Sequence, residues 1–386
     1  MAMKENKIRN LLLCVTFIDL LGFGILLPLM PFLALQLHAT SFQIGCLAAA
    51  FPLFQMLLMP FWGHYADKWG AKPVLLISMI GMALSFALFA SSETFLGLMI
   101  SRVLAGATSA TLGVVRGSLT EPNDQIRTQT NMRLFGAAQG MGFLLGPVLG
   151  AVLQEISLRT PIWTAFIICL IAIPLLAKQT DFPIRFNKSE ASLLKKFRDV
   201  LAHKELAYLS GTYFFIYLSF AFLFISFPLF LKESYSYGGK ESAIYFSILS
   251  VSAVVGQILL LPKIQKIFSS RHILWTSLAI LPLEIKLLGT AFTGIATGLI
   301  LAITSICLFM ALTTLMTEIG IRSSDQEKNF IAAFTESLSG FARLGGTAIS
   351  GLVIEKAGVS MAFNTSAGVV VLALVTLHLA NKLHKR

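Results

Sequence analysis

Long apolar runs divide this chain, and their length decides which class of fold it can adopt. A helix of about 20 residues, rising roughly 1.5 Å per residue, crosses the hydrocarbon core of a bilayer. Twelve runs approach or exceed that length, near residues 10–34, 42–62, 73–91, 95–117, 132–153, 161–177, 207–231, 242–262, 272–292, 295–316, 330–354 and 360–380. Only 13% of the residues are charged, whereas a soluble domain has about 25%. The sequence therefore predicts an all-α polytopic membrane protein with twelve transmembrane helices.

The positive charges predict how these helices are oriented, because cytoplasmic loops retain Lys and Arg. Of the 30 Lys and Arg residues, 23 lie in the two termini, in every second loop or at the span ends that flank those loops, three lie deep inside spans and four lie in the alternate loops. Both termini are therefore expected in the cytoplasm. The first run is longer than the core of a signal peptide, about 7 to 15 residues, and is expected to remain in the mature protein.

The longest polar interval, Lys178 to Glu205, divides the twelve spans six and six. It predicts an N-terminal six-helix bundle in residues 1–178, a cytoplasmic linker in residues 179–205 and a C-terminal six-helix bundle in residues 206–386. Within the linker, Leu193 to Leu201 has the apolar and basic faces of a helix that lies on an anionic membrane surface. A solvated tether without a lipid role is the alternative.

A polar segment between the second and third spans contains Gly63, Asp67, Lys68, Gly70 and Lys72. Its glycines permit the backbone angles of a tight loop. Asp67 is predicted just before the third helix, whose N-terminal end is electropositive. Our hypothesis is that Asp67, helped by Lys68 and Lys72, latches the two halves on the cytoplasmic side. An ordinary polar turn is the alternative.

The fifth span carries Gly142, Gly146 and Gly150 at four-residue spacing, with Pro147 among them. This spacing places the three glycines on one stripe of the helix, where a neighbouring helix can approach closely. Pro147 removes one backbone hydrogen bond. The pattern predicts either a hinge that keeps the core sealed against proton leak or plain packing of small residues.

Six charged residues fall away from the cytoplasmic ends of the predicted spans, where an ionised side chain costs on the order of 3 kcal/mol: Asp19, Arg102, Glu284, Lys286, Glu336 and Arg343. Glu284 and Lys286, two residues apart, are expected on nearly opposite sides of their helix. Glu284 and Glu336 are candidates for proton coupling or for structural pairing. For Lys286 and Arg343, snorkelling or structural pairing is favoured.

Several of these segments together resemble the major facilitator superfamily, and especially its twelve-helix drug/proton antiporters of the tetracycline-efflux type. Gly63 to Lys72 resembles the family signature G-x-x-x-D-[RK]-x-G-[RK]-[RK], with Ala71 in place of one basic residue. Arg102 and Gly106 resemble its R-x-x-x-G element. Gly142 to Ala151 resembles its antiporter motif G-x-x-x-G-P-x-x-G-G, with the last glycine replaced. The likeness extends over essentially the whole chain.

The resemblance implies a central cavity lined by the first, fourth, seventh and tenth helices. The first span, in Phe17 to Pro31, also resembles the opening of the tetracycline exporters. By this resemblance Asp19 is the protonatable carboxylate near a water-filled path, and Arg102 is its charge partner or a modulator of proton relay. A structural ion pair is the alternative.

Four further residues are candidates for the substrate cavity. Tyr213 and Tyr217 belong to an aromatic cluster in the seventh span, and such rings suit flat amphiphilic molecules. Gln139 and Gln257 supply candidate polar contacts. The alternatives are aromatic rings that face lipid and glutamines that are buried in polar packing.

These features predict a secondary antiporter of the bacterial inner membrane, which exchanges protons for a small amphiphilic compound by alternating access. The sequence has no G-x-x-x-x-G-K-[ST] phosphate loop, so a proton gradient is the expected energy source and no cofactor is expected. The four cysteines lack the spacing of metal ligands. A monomer in the lipid bilayer, without nucleic acid or metal, is expected.

Two other functions remain open at this point. The same fold is able to take up or export a specific metabolite or siderophore. A polytopic membrane enzyme is the alternative from a different class, but the six histidines form no catalytic motif.

Overall fold

The computed structural model describes residues 2–119, 125–178, 203–290, 293–322 and 328–384. All regular structure in these ranges is helical. The helices are α1 (Ala2–Leu26), α2 (Met30–Gln36), α3 (Ser41–Trp69), α4 (Ala71–Ser91), α5 (Phe95–Thr108), α6 (Thr111–Leu119), α7 (Gln125–Leu153), α8 (Thr160–Ala177), α9 (Lys204–Tyr235), α10 (Gly239–Val254), a π-helical turn (Val255–Leu260), α11 (Leu261–Ile264), α12 (Ser270–Leu288), α13 (Gly294–Arg322), α14 (Lys328–Ala357) and α15 (Val359–His384).

The predicted all-α membrane fold is confirmed. Each of the twelve predicted spans is occupied by helix, and eleven helical stretches of the described chain are long and apolar enough to cross a membrane. The span formed by α12 is the exception, because its 19 residues include Arg271, Glu284 and Lys286.

Two spans that were predicted as continuous helices are broken. The first is interrupted between Leu26 and Met30, around Pro28, because proline lacks an amide hydrogen and clashes with the preceding turn. The fourth is interrupted at Ser109 and Ala110, between α5 and α6.

Polar side chains of α3 and α4 satisfy the backbone and hydroxyl groups at the second break. The indole Nε1 of Trp62 donates to the Ala107 carbonyl at 2.7 Å, and the Ala110 N–H donates to Ser78 Oγ at 3.1 Å. Gln55 Nε2 donates to Ser109 Oγ at 2.8 Å. A broken helix is tolerated at membrane depth when its freed groups find such partners.

The chain forms two compact units. The first comprises Met1–Ala39, Ala50–Lys188 and Gly238–Ser247, and the second comprises Thr40–Ala49, Ser189–Tyr237 and Ile248–Arg386. Two helices, α3 and α10, are therefore each divided between the units. The predicted linker 179–205 lies outside the described residues except for its last three, as does the amphipathic segment 193–201, so the predicted domain boundaries stay a prediction.

Within the first unit, the glycine stripe of α7 packs directly against α1. A Cβ atom added to Gly142 would lie 2.6 Å from the carbonyl oxygen of Phe17, and one added to Gly146 would lie 2.7 Å from Gly24 Cα. The helix α7 continues without interruption through Pro147. The observed arrangement is thus the close approach that the glycine spacing predicts.

Within the second unit, α9 is joined to its neighbours by paired hydroxyl groups. Three hydroxyl side chains of α9 recur every seventh residue and so share one face of the helix. They contact hydroxyl groups of α15 and α14 at 2.8 to 3.2 Å, in the pairs Thr212–Thr376, Ser219–Ser366 and Ser226–Ser350. Such interhelical hydrogen bonds hold membrane helices together where no hydrophobic force acts between them.

Candidate functional site

Asp19 is a buried carboxylate in the first unit. Its side chain is 4% exposed, and no hydrogen-bond partner for its Oδ1 exists among the described residues. One turn further along α1, a Cβ atom added to Gly22 would lie 2.6 Å from Phe86 of α4 and 3.8 Å from Ala165 of α8. This stretch of α1 therefore faces apolar side chains of α4 and α8, which disfavour an ionised carboxylate. Its access to water stays a prediction.

Arg102 of α5 is buried beside α4. Arg102 is 2% exposed, and its guanidinium donates from Nη2 to Ser85 Oγ at 2.9 Å and from Nε to Ser101 Oγ at 3.5 Å. Its central carbon lies 4.8 Å from the centroid of the Phe89 ring. Two serines and an aromatic face thus take the place of a carboxylate around this cation.

The structure shows no direct ion pair between Asp19 and Arg102 among the described residues, so the assignment of Arg102 as a charge partner stays a prediction. Among the described residues, the ion pairs within 4.0 Å are formed by other side chains, and neither Asp19 nor Arg102 takes part in one. The guanidinium instead donates to neutral groups, the Ser85 hydroxyl of α4 and the Ser101 hydroxyl of α5. The role of Arg102 in proton relay stays a prediction.

An Arg102→Lys variant is expected to lower the free energy of unfolding by about 2 kcal/mol, because an ammonium cannot keep both the hydrogen bond to Ser85 and the contact with the Phe89 ring. Thermal unfolding of the purified protein in detergent measures the loss. Arg133→Lys, at an exposed position of α7, is the matched control. Equal stability of the two variants would contradict the described arrangement.

Glu284 is the corresponding buried carboxylate of the second unit. It lies on α12, is 6% exposed, and accepts a hydrogen bond at Oε1 from the thiol of Cys307 on α13 at 3.5 Å. Its Oε2 has no partner within the described part of the chain. Lys286 is exposed, which confirms that these two charges lie on different sides of α12. Each unit therefore contains one buried carboxylate that lacks a cationic partner in the described structure.

The segment from Gly63 to Lys72 differs from its prediction. It is not a loop, because α3 continues to Trp69 and α4 begins at Ala71. The turn consists of Gly70 alone, whose φ of 88° favours glycine. Gly63 is helical and has open space where a Cβ would stand. Asp67 therefore lies in the last turn of α3 rather than in a loop before the next helix.

The basic residues of this segment have different surroundings. Lys72 Nζ donates to the carbonyl oxygen of Ala177 at 2.7 Å, so it caps the C-terminal end of α8, as cations commonly do. Lys68 is exposed. The side chains of Asp67 and Glu336 lie outside the part of the structure that is described, so the latch and the coupling role of Glu336 stay predictions.

The four candidate cavity residues fall into two kinds. Tyr213 is buried, and its ring centroid lies 4.8 Å from that of the partly buried Tyr217. Gln139 and Gln257 are partly exposed. The structure joins neither glutamine amide to another described residue by a hydrogen bond. Gln257 lies in the π-helical turn, which no feature of the sequence predicts.

Comparison with known proteins places this architecture among transporters. The sequence model of the Major Facilitator Superfamily matches residues 12–347. The tetracycline resistance protein, class H, of Pasteurella multocida is 26% identical over 284 residues, which are 71% of each chain. The quinolone resistance protein NorA of Staphylococcus aureus (strain Mu50 / ATCC 700699) is 29% identical over 273 residues, 68% of each chain.

Solved structures share the fold at low sequence identity. The human organic anion transporter MFSD10 (TETRAN) is 20% identical with a TM-score of 0.69, and the match covers 97% of this chain and 99% of that one. The nucleoside transporter NupG is 16% identical with a TM-score of 0.78, and the match covers 96% of this chain and 98% of that one.

Proposed function

This chain belongs to the major facilitator superfamily, and from that membership we propose that it is a proton-coupled antiporter that exports a small amphiphilic organic molecule by alternating access. It is a multi-pass membrane protein and a transporter rather than an enzyme. The observation that carries the proposal is Asp19, a membrane-buried carboxylate without a hydrogen-bond or ionic partner among the described residues.

Proton coupling is supported by the cost of that carboxylate. An ionised Asp inside a span costs on the order of 3 kcal/mol, whereas protonation removes most of this cost. Asp19 then alternates between a protonated state and an ionised state that admits the substrate. One proton that moves down 100 mV supplies about 2.3 kcal/mol for each cycle. Glu284 is the second candidate for coupling, because it is also buried with one unpartnered oxygen within the described chain.

The direction and substrate class are supported by the relatives. Proteins that confer resistance to tetracycline and to quinolones match about two thirds of this chain. Tyr217, whose ring packs against the buried Tyr213, supplies aromatic surface, and Gln139 and Gln257 supply polar groups, for a flat molecule of this kind. The transporter is proposed to act as a monomer, with the proton gradient as its energy source and without a bound cofactor.

Both termini are proposed to face the cytoplasm of a bacterial inner membrane. Two of the four basic residues predicted on the opposite side have structural partners. Arg159 donates to the carbonyls of Ala90 and Ser92, both at 2.9 Å, and Lys240 lies 2.7 Å from Glu155. The hydrogen bond and charge of Lys240 hold the pKa of the Glu155 carboxyl below its ordinary value. These contacts explain why positive charge is kept there against the general bias.

The proposal is tested with purified protein in liposomes under an imposed pH gradient. Tetracycline, a fluoroquinolone and tetraphenylphosphonium serve as substrates, and a pH-sensitive dye reports proton movement. We expect substrate transport in one direction to drive protons in the other. Transport that proceeds without proton movement, or in the same direction as protons, would contradict antiport.

A further inference from the structure

The eighth span contains a π-helical turn, Val255–Leu260, between α10 and α11. A π-helix bonds residue i to i+5 and accommodates more residues per turn than an α-helix. Its side chains therefore point in directions that a continuous α-helix would not give them. Single π-helical turns inside α-helices are rare and are frequent at functional sites.

Two residues of α10 and its π turn are in contact with α13. The Ser305 hydroxyl donates to the Leu249 carbonyl at 2.6 Å, one to two turns before the π turn. A Cβ atom added to Gly256 would lie 3.3 Å from Ile306 Cα, closer than a side chain is normally accommodated. The hydroxyl supplies an additional donor to the α10 backbone, and the glycine lets the two helices approach. The Gly256 contact holds the turn against α13, and the Ser305 hydrogen bond holds α10 against α13 just before the turn.

The side chains of the turn are distributed over different surroundings. Leu260 packs with the buried residue Leu261 against α12 and α13. Ile258 and Leu259 are 66% and 54% exposed, as expected of residues that face lipid. Gln257 is partly exposed, and its amide has no hydrogen-bond partner among the described residues. An amide facing hydrocarbon would be left unsatisfied at a cost of several kcal/mol, so a water-filled path is the surrounding that suits it.

We propose that the π turn directs the Gln257 amide into the substrate path, where it binds a neutral hydrogen-bonding group of the transported molecule, with Ser305 and Gly256 as positioning residues. The ligand class is an amphiphilic molecule that carries a carbonyl, amide or hydroxyl group, because an amide both donates and accepts. This inference rests on the proposed export function. Gly256 approaches Ile306 of α13, and the next residue of α13, Cys307, contacts Glu284. The π turn and the buried carboxylate of this unit therefore contact neighbouring residues of α13.

The orientation of residue 257 is tested without transport. Gln257→Cys and Ile258→Cys are made in a protein whose four native cysteines are replaced by serine, and the rate of reaction with a maleimide is measured in membranes. A thiol reacts as its thiolate, which needs water. We expect position 257 to react at least tenfold faster than position 258. Equal rates at the two positions would overturn the proposal.

The positioning role is tested by adding Ser305→Ala or Gly256→Ala to the Gln257→Cys protein. Each is expected to slow labelling at least threefold. Thr313→Ala is the matched control, since the Thr313 hydroxyl donates only within α13, to Phe309, and labelling should not change. If both variants label like the control, Ser305 and Gly256 do not position residue 257.

The binding role is tested by the substrate preference of Gln257→Leu. Tetracycline presents hydroxyl and amide groups, whereas tetraphenylphosphonium presents no hydrogen-bonding group. We expect tetracycline transport to fall at least tenfold relative to tetraphenylphosphonium transport, and Ser305→Ala to shift the ratio in the same direction. An unchanged ratio would overturn the binding role. If the parent protein transports neither compound, the proposed function fails, while the labelling rates still decide where residue 257 points.

Discussion

An Asp19→Asn variant is expected to insert and fold as the parent protein does, yet to lose proton-driven export by at least tenfold. Asparagine has nearly the same shape as aspartate but cannot bind and release a proton at neutral pH. The structure gives no hydrogen bond or ion pair of Asp19 within the described residues that the substitution would break. Removal of an uncompensated buried charge should leave stability unchanged or raise it.

The measurement compares proton-coupled transport in liposomes with thermal unfolding in detergent. Glu93→Gln is the matched control, because it makes the same chemical change at an exposed position between α4 and α5 and should leave both readouts unaltered. Asp19→Glu retains a titratable group and should retain part of the coupling. Full coupled export by Asp19→Asn would remove the carboxylate from the mechanism, and the same variant unfolding at much lower temperature would assign it a structural role instead.

The presence of the helices was predictable because the bilayer dictates them. A chain in hydrocarbon must satisfy its backbone hydrogen bonds within each segment, so an apolar run of about 20 residues has few alternatives to a helix. The ends were less predictable. Helix α1 begins at Ala2 rather than near residue 10, and α3 extends to Trp69 rather than 62, because polar residues continue a helix readily once it leaves the apolar layer.

The interruptions were not predictable from local sequence. The break at Ser109 depends on Trp62 and Gln55 of another helix, and the π turn is accompanied by a hydroxyl from Ser305. Both arise from partners more than 40 residues away in sequence. Gly256 was a local signal, since a glycine inside an apolar helix often marks the close approach of another backbone.

At the candidate site, too, features set by a single helix were predictable, whereas contacts that depend on how helices pack were not. The close approach of a neighbouring helix to the glycine stripe was predictable because it requires only the absence of side chains on one helix face, whereas the identity of that neighbour as α1 was not. The partners of Arg102 were not, because they depend on how α4 and α5 are rotated against each other. A buried charge in a sequence shows that a compensating group is needed, and neutral Ser85 serves as readily as a carboxylate.

A Gly146→Ala variant is expected to lower the free energy of unfolding by roughly 1–3 kcal/mol, because the added methyl group would overpack the contact between α7 and α1. Its Cβ would lie 2.7 Å from both Gly24 Cα and the Gly24 carbonyl carbon, and backbone atoms have little room to move. Transport should fall with stability if α1 is displaced, since α1 also carries Asp19.

Gly140→Ala on the same helix is the matched control. No atom lies within 4 Å of the Cβ position at Gly140, so only the helix propensity of alanine acts there, and it favours stability by up to about 1 kcal/mol. Thermal unfolding of both variants in the same detergent should therefore move in opposite directions from the parent protein. If Gly146→Ala is as stable as Gly140→Ala, α1 and α7 can move apart at this point at little cost in free energy. The glycine stripe then does not fix the position of α1 and Asp19.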